Sequence, residues 1–73
     1  MSDHCIITFE SVHFVMKAEK VLKEYGIDVV LVPTPREISS DCGIALEVLK
    51  ENQEIIRNIF SKKTLVPDGF YKK

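Results

Sequence analysis

Short β-rich segments alternate with two amphipathic segments along this chain, and their order restricts the folds open to it. Cys5 to Phe9 and Ile27 to Val32 are rich in β-branched residues and predict the first and second strands. Between them, Val12 to Tyr25 repeats apolar residues at intervals of three and four, which predicts a helix. Ser11 is placed to cap this helix and Gly26 to end it. Its predicted apolar stripe comprises Phe14, Ala18, Val21, Leu22 and Tyr25.

The second half of the chain predicts a similar succession of elements. Residues 43–49 fit a strand and a helix stripe almost equally well. We favour a strand, because one face then carries Ile44, Leu46 and Val48, and because the next segment supplies a helix of its own. That helix should run from about Asn52, a good capping residue, to Lys62, with an apolar stripe of Ile55, Ile56, Ile59 and Phe60. The turn signal Pro-Asp-Gly then predicts a last strand at about residues 69–72.

The order strand, helix, strand, strand, helix, strand predicts an α+β fold. It is typical of the ferredoxin-like split βαβ sandwich (βαββαβ), with two helices on one face of an antiparallel sheet. Right-handed crossovers require the third strand between the first and second, and the first between the third and fourth. A chain of 73 residues has room for a single domain, spanning 1–73, and little room for a deep enclosed pocket.

The charge balance argues against nucleic acid as a partner. Ten Lys and Arg stand against eleven Asp and Glu, for a formal net charge of −1. Such a chain lacks the concentrated positive field that phosphate backbones attract. It also has no apolar run long enough to cross a bilayer, so no membrane partner is expected.

The cysteine count favours a reducing compartment. Cys5 and Cys42 could form one disulfide at most, whereas small secreted domains usually carry several. The amino terminus lacks the pattern of a secretion signal, so a cytoplasmic protein is expected. No close pair of ligand residues such as Cys-x-x-Cys is present, and we therefore expect neither a metal site nor a resident cofactor. At the start of the first strand, Cys5 is expected to be a buried, inert thiol too distant from Cys42 for a bridge.

The connection from Pro33 to Gly43 holds the chemistry that stands out in the sequence. It places Cys42 beside a glycine, between two apolar segments, and two prolines stiffen it. An equally reasonable interpretation is that this is an ordinary surface loop in which Cys42 fills a corner of the core. In the predicted topology, however, the connection lies at the sheet edge where the first helix begins. Helix amino termini and cationic neighbours lower the pKa of a cysteine and so increase its nucleophilic fraction.

Several neighbours are candidates to tune a thiolate at Cys42. Arg36 is a candidate cation, and His13 a candidate proton acceptor, although a solvated helix histidine is the more common case. Ser39 and Ser40 could donate hydrogen bonds to the sulfur, although loop serines more often bond the local backbone. Gly43 could leave space for a partner's backbone, let the chain turn through a conformation closed to other residues, or be an ordinary turn glycine.

The chain resembles the bacterial and archaeal selenium/sulfur carrier protein-like family. The resemblance covers nearly the whole sequence and is most specific in the core Pro-x-Pro-Arg-x-Ile-Ser-Ser-x-Cys-Gly, which runs from Pro33 to Gly43. The residues that carry this pattern are Pro33, Pro35, Arg36, Ser39, Ser40, Cys42 and Gly43.

The resemblance implies a small carrier protein and not an enzyme. Its cysteine, Cys42, would hold selenium or sulfur transiently as a perselenide or persulfide. The implied donor is a cysteine desulfurase or a selenocysteine lyase, and one acceptor would be the enzyme that makes selenophosphate. The resemblance assigns no role to Cys5.

Two other functions fit the same residues. The domain could be a non-catalytic interaction module that forms a homodimer through an uncovered apolar face of the sheet, where Ile6, Val30 and Val32 would lie. Alternatively, Cys42 could be a redox sensor that is oxidised to a sulfenic acid or a mixed disulfide.

Overall fold

The computed structural model describes residues 3–38 and 43–72. The fold is α+β, with four strands in one antiparallel sheet and two helices. In chain order the elements are β1 (His4–Thr8), α1 (Val12–Glu24), β2 (Val29–Pro33), β3 (Ile44–Leu49), a 3₁₀ turn (Lys50–Asn52), α2 (Gln53–Lys62) and β4 (Gly69–Lys72). The segment 44–49, which fitted two patterns, is a strand, and the last strand has the predicted bounds.

The strands lie side by side in the order β2-β3-β1-β4. Every adjacent pair is antiparallel, with Leu31 opposite Leu46, Leu46 opposite Ile7, and Ile7 opposite Phe70. Since β1 and β2 both run antiparallel to β3, they run parallel to each other with β3 between them. These are the neighbours that right-handed crossovers predicted.

Both helices pack on one face of the sheet and form the core with it. Alternate strand residues such as Cys5, Ile7, Leu46 and Val48 face the helices. The ring of Phe60 in α2 packs edge-on against Phe9, with centroids 5.6 Å apart. The helix residues buried in this core are Val15, Ala18, Val21, Leu22, Ile56, Ile59 and Phe60.

The predicted helix stripes were partly wrong. Phe14, Tyr25 and Ile55 are 40%, 48% and 51% exposed, while Val15, which was left out of the predicted stripe, is fully buried. The apolar residues of α1 occupy more of the helix surface than the sheet can cover. Their spacing alone therefore does not determine which of them are buried.

The element ends also correct the prediction. Gly26 ends α1 with a φ of 77°, as expected, but Ile27 belongs to this helix terminus because its N–H donates to the carbonyl of Leu22 at 2.9 Å. The second strand therefore begins at Val29, two residues later than predicted. Ser11 and Asn52 occupy the capping positions, but neither side chain makes a capping hydrogen bond.

The sheet face away from the helices is also partly buried. Ile6, Thr8 and Ala45 are at most 2% exposed, although they lie outside the core that the helices cover. Val30, by contrast, is 59% exposed on this face. The prediction that this face stays uncovered is therefore correct only near β2.

The hydroxyl of Thr8, on the sheet face away from the helices, is expected to lower the stability of the fold. Its Oγ1 is buried and has no hydrogen-bond partner among the described residues. An unpaired buried hydroxyl carries its full desolvation cost. Thr8→Val, which keeps the shape and removes the hydroxyl, should raise the free energy of unfolding by about 1 kcal/mol in urea titrations. Thr8→Ala is the control, since it also removes a methyl group and should destabilise. A destabilised Thr8→Val variant would contradict this account.

Candidate functional site

The segments that surround the connection between β2 and β3 have their ends close together. They lie at one edge of the sheet, which is formed by the ends of strands and not by an edge strand. Pro33 lies opposite Ile44, and Thr8 lies opposite Gly69, so β1 and β2 end where β3 and β4 begin. Helix α1 begins at Val12, four residues after β1 ends. The predicted common edge is therefore present.

Two backbone hydrogen bonds shape the described part of the connection. The N–H of Thr34 donates to the carbonyl of Gly43 at 3.1 Å and continues the β2–β3 ladder by one pair. The N–H of Ile38 donates to the carbonyl of Pro35 at 3.0 Å, which closes a turn over residues 35–38. The first bond brings the two ends of the connection together.

The first half of the connection lies beside the sheet face away from the helices. Pro35, Glu37 and Ile38 line a cleft of about 540 Å³ together with Ile6, Tyr71 and Lys72. The Tyr71 side chain lies over Gly69, where an added Cβ would come within 2.9 Å of the ring. A cleft of this size is within the range of small-molecule sites. The sequence patterns did not indicate this cleft or the place of Tyr71 in it.

Arg36 lies within this turn and is exposed. Its guanidinium makes no ion pair or hydrogen bond with any described residue. The charge is thus not neutralised by a carboxylate in the described part of the chain. An anion that approaches the turn would meet a cation that has no carboxylate partner among residues 3–38 and 43–72.

Gly43 lies directly before β3 and is exposed. A Cβ added there would meet no atom within 4 Å in the part of the chain that the structure describes. The predicted roles of Gly43 stay predictions.

His13 lies in the first turn of α1 and is exposed, with its ring 5.7 Å from that of Phe14. The N–H groups of Phe14 and Val15 donate to the carbonyl of Ser11. The first turn contains no acidic residue, so no side chain of that turn offsets the positive end of the helix dipole. A solvated histidine fits this placement, and the role of His13 as a proton acceptor stays a prediction.

Three predicted site residues, Ser39, Ser40 and Cys42, lie outside the described residues.

Cys5, the other cysteine, lies in the core at the opposite end of β1. It is 2% exposed, and its thiol donates to Oε1 of Gln53 at 3.6 Å. Cys5 pairs with Val48, which is five residues, or about 17 Å of strand, from Gly43. A disulfide needs Cα atoms within about 7 Å, so this thiol is remote from the end of the connection that adjoins Cys42.

Residues 3–38 and 43–72 contain neither a metal-ligand cluster nor a membrane-spanning helix. No group of three or more His, Cys, Asp or Glu side chains in these ranges could hold a metal ion. None of the helices there is both long and apolar enough to traverse a bilayer.

Comparison with known proteins identifies the family. Residues 4–72 match the family described as "Putative Se/S carrier protein-like". The chain belongs to this family. The match includes every element of the fold and the whole connection from Pro33 to Gly43. No curated protein and no solved structure matches the chain.

Proposed function

We propose that this domain is a carrier protein, not an enzyme, that holds selenium or sulfur on Cys42 as a perselenide or persulfide. It receives the chalcogen from a cysteine desulfurase or a selenocysteine lyase. It passes the atom to an acceptor, for which the enzyme that makes selenophosphate is our candidate. The observation that carries this proposal is the family match over residues 4–72, which contains the Pro-x-Pro-Arg-x-Ile-Ser-Ser-x-Cys-Gly core.

The proposed transfer is a thiol exchange that balances without an added oxidant or reductant. The thiolate of Cys42 attacks the terminal sulfur of a persulfide on the donor's cysteine. A sulfur–sulfur bond forms at Cys42 while the donor's bond breaks, and the donor's cysteine leaves as a thiolate with the electron pair. Attack by an acceptor thiolate on the terminal atom then regenerates the Cys42 thiolate. Selenium from a lyase follows the same exchange through a perselenide.

Features of the described residues support a thiolate near this edge. Arg36, in the same connection, has no carboxylate partner among the described residues, and the amino end of α1 lies at the same edge of the sheet. In the proposal, Ser39 and Ser40 donate hydrogen bonds to the loaded chalcogen, Gly43 leaves room for a partner's backbone, and His13 exchanges a proton with Cys42. A cytoplasmic location would keep the unloaded thiol reduced.

We also assign the ferredoxin-like split βαβ class to the fold. The strand order β2-β3-β1-β4 and the placement of both helices on one face support this assignment.

Intact mass spectrometry of the loaded protein tests the proposed function. Incubation with a cysteine desulfurase and cysteine, or a lyase and selenocysteine, should add the mass of one sulfur or selenium atom. Peptide mapping should place that atom on Cys42. A protein that gains no chalcogen from either donor, or gains it elsewhere, would refute the proposal. Oxygen added by mild peroxide without any chalcogen loading would instead indicate a redox sensor.

Arg36→Gln should make Cys42 less reactive at neutral pH. Loss of the cation raises the pKa of the thiol and lowers its ionised fraction, so alkylation by iodoacetamide at pH 7 should slow roughly threefold to tenfold. The matched control is Arg57→Gln. Arg57 belongs to α2, and its guanidinium lies over the ring of Phe70, 4.3 Å from the ring centroid. Equal rates in wild type and Arg36→Gln would exclude Arg36 as the stabilising cation.

A further inference from the structure

Among the described residues, β2 is an edge strand of the sheet, and part of it is exposed. Its only strand partner in the described part of the chain is β3. Val30 and Leu31 are 59% and 37% exposed, and the residues from Val29 to Pro33 carry no charge. The opposite edge, β4, ends in Lys72, a residue type that discourages edge pairing. The two edges therefore differ, and β2 is the one open to a further strand.

The ladder between β2 and β3 determines which backbone groups of β2 point outward. Thr34 donates to Gly43, so this pair is hydrogen-bonded, and alternate pairs inward along the strand, at Val32 and Val30, are bonded to β3 as well. The N–H and C=O groups of Val29 and Leu31 consequently point to the free edge. Neither residue makes a backbone hydrogen bond outside the sheet to any described residue.

The stretch of β2 whose outward backbone groups can pair with another strand ends at the same distance before and after Val30. Pro33, three residues after Val30, has no N–H to offer. Ile27, three residues before it, already donates its N–H to Leu22. The positions of β2 that can form outward hydrogen bonds, and those that cannot, are therefore arranged symmetrically about Val30.

We propose that two copies of this chain pair antiparallel through β2, with Val30 opposite Val30 of the second copy. In this register Val29 lies opposite Leu31 of the other copy, and each such pair exchanges both of its hydrogen bonds. Pro33 of each copy lies opposite Ile27 of the other, so the positions that cannot form both hydrogen bonds lie opposite each other. Other registers place Pro33 or Ile27 opposite Val29 or Leu31 and lose hydrogen bonds. A two-fold dimer requires such a self-complementary patch, whereas an unrelated peptide does not.

Disulfide trapping tests the register. In the proposed dimer the two residues at position 30 form a non-hydrogen-bonded pair with Cα atoms about 4.5 Å apart, a separation that a disulfide can span. In a Cys42→Ser background, Val30→Cys should form a covalent dimer with oxidised glutathione. Val32→Cys is the control, since the two residues at position 32 would be about 14 Å apart. Equal trapping at both positions, or trapping at position 32 alone, would overturn the register.

Analytical ultracentrifugation over a dilution series tests the dimer itself. The wild-type protein should dimerise with increasing concentration. Val30→Lys should weaken the dimer about tenfold or more, because like charges would then lie directly opposite each other. Val66→Lys is the matched control at a position that is 83% exposed and outside β2, and it should dimerise as wild type does. A wild-type protein that stays monomeric up to millimolar concentration would overturn the proposal, even if it binds an extended peptide. So would a Val30→Lys variant that dimerises normally.

Discussion

Cys42→Ser should lose all loading of selenium or sulfur, whereas Cys5→Ser should load as wild type does. A serine hydroxyl is not ionised at neutral pH and cannot form the sulfur–sulfur or sulfur–selenium bond on which the proposed carrier depends. Cys5 is the matched control because it is the other cysteine of the chain and is 2% exposed in the core. The loading of both variants is measured from their intact masses after incubation with a desulfurase and cysteine.

The far-ultraviolet circular dichroism of both variants should match that of the wild type, which separates loss of chemistry from loss of fold. Cys5→Ser places a hydroxyl next to Gln53, whose Oε1 can accept its hydrogen bond as it does that of the thiol. If Cys42→Ser still loads fully, Cys42 is not the carrier residue. If Cys5→Ser folds but fails to load, the assignment to Cys42 alone is wrong.

Phe60→Ala should destabilise the domain by about 3–5 kcal/mol, the usual cost of removing a buried aromatic side chain. Phe60 is 2% exposed, and its ring packs against those of Phe9 and Phe70. A chain of this length has a total stability of roughly 4–11 kcal/mol, so the loss would consume much of it. Urea unfolding at 25 °C measures the change, and a populated unfolded fraction without denaturant is expected at the upper end of the range.

Phe14→Ala is the matched control for this truncation. Phe14 is 40% exposed on α1, and removing its ring should lower the free energy of unfolding by only about 1–2 kcal/mol. Equal losses in the two variants would contradict the described core, because they would mean that burial does not distinguish the two rings.

The sequence predicts the sheet better than the helix surfaces. Period-two alternation and the Pro-Asp-Gly turn predicted β3 and β4 correctly, because a strand places alternate residues on opposite faces whatever covers them. The helix pattern selected Phe14 and Tyr25 for the core, whereas α1 buries Val15. That choice depends on where the sheet lies relative to the helix, which is tertiary information.

The connection from Pro33 to Gly43 shows the same limit at the candidate site. Its residue types predicted a loop at the shared sheet edge, and the ends of β2 and β3 lie there. They did not predict that Pro35 and Ile38 line a cleft with Ile6 and Tyr71. Loops have no periodicity to reveal their packing, and the burial of Ile6 was therefore not foreseen.

The pH dependence of alkylation at Cys42 tests most directly whether this site has the chemistry of a carrier. The native protein is treated with iodoacetamide between pH 5 and 10, and peptide mapping gives separate rates for Cys42 and Cys5. Cys42 should react readily in the folded protein, with a midpoint below the ordinary cysteine pKa of about 8.5, while Cys5 reacts only on unfolding. A Cys42 midpoint at or above that value, or no reaction until the protein unfolds, would contradict the proposed chalcogen carrier.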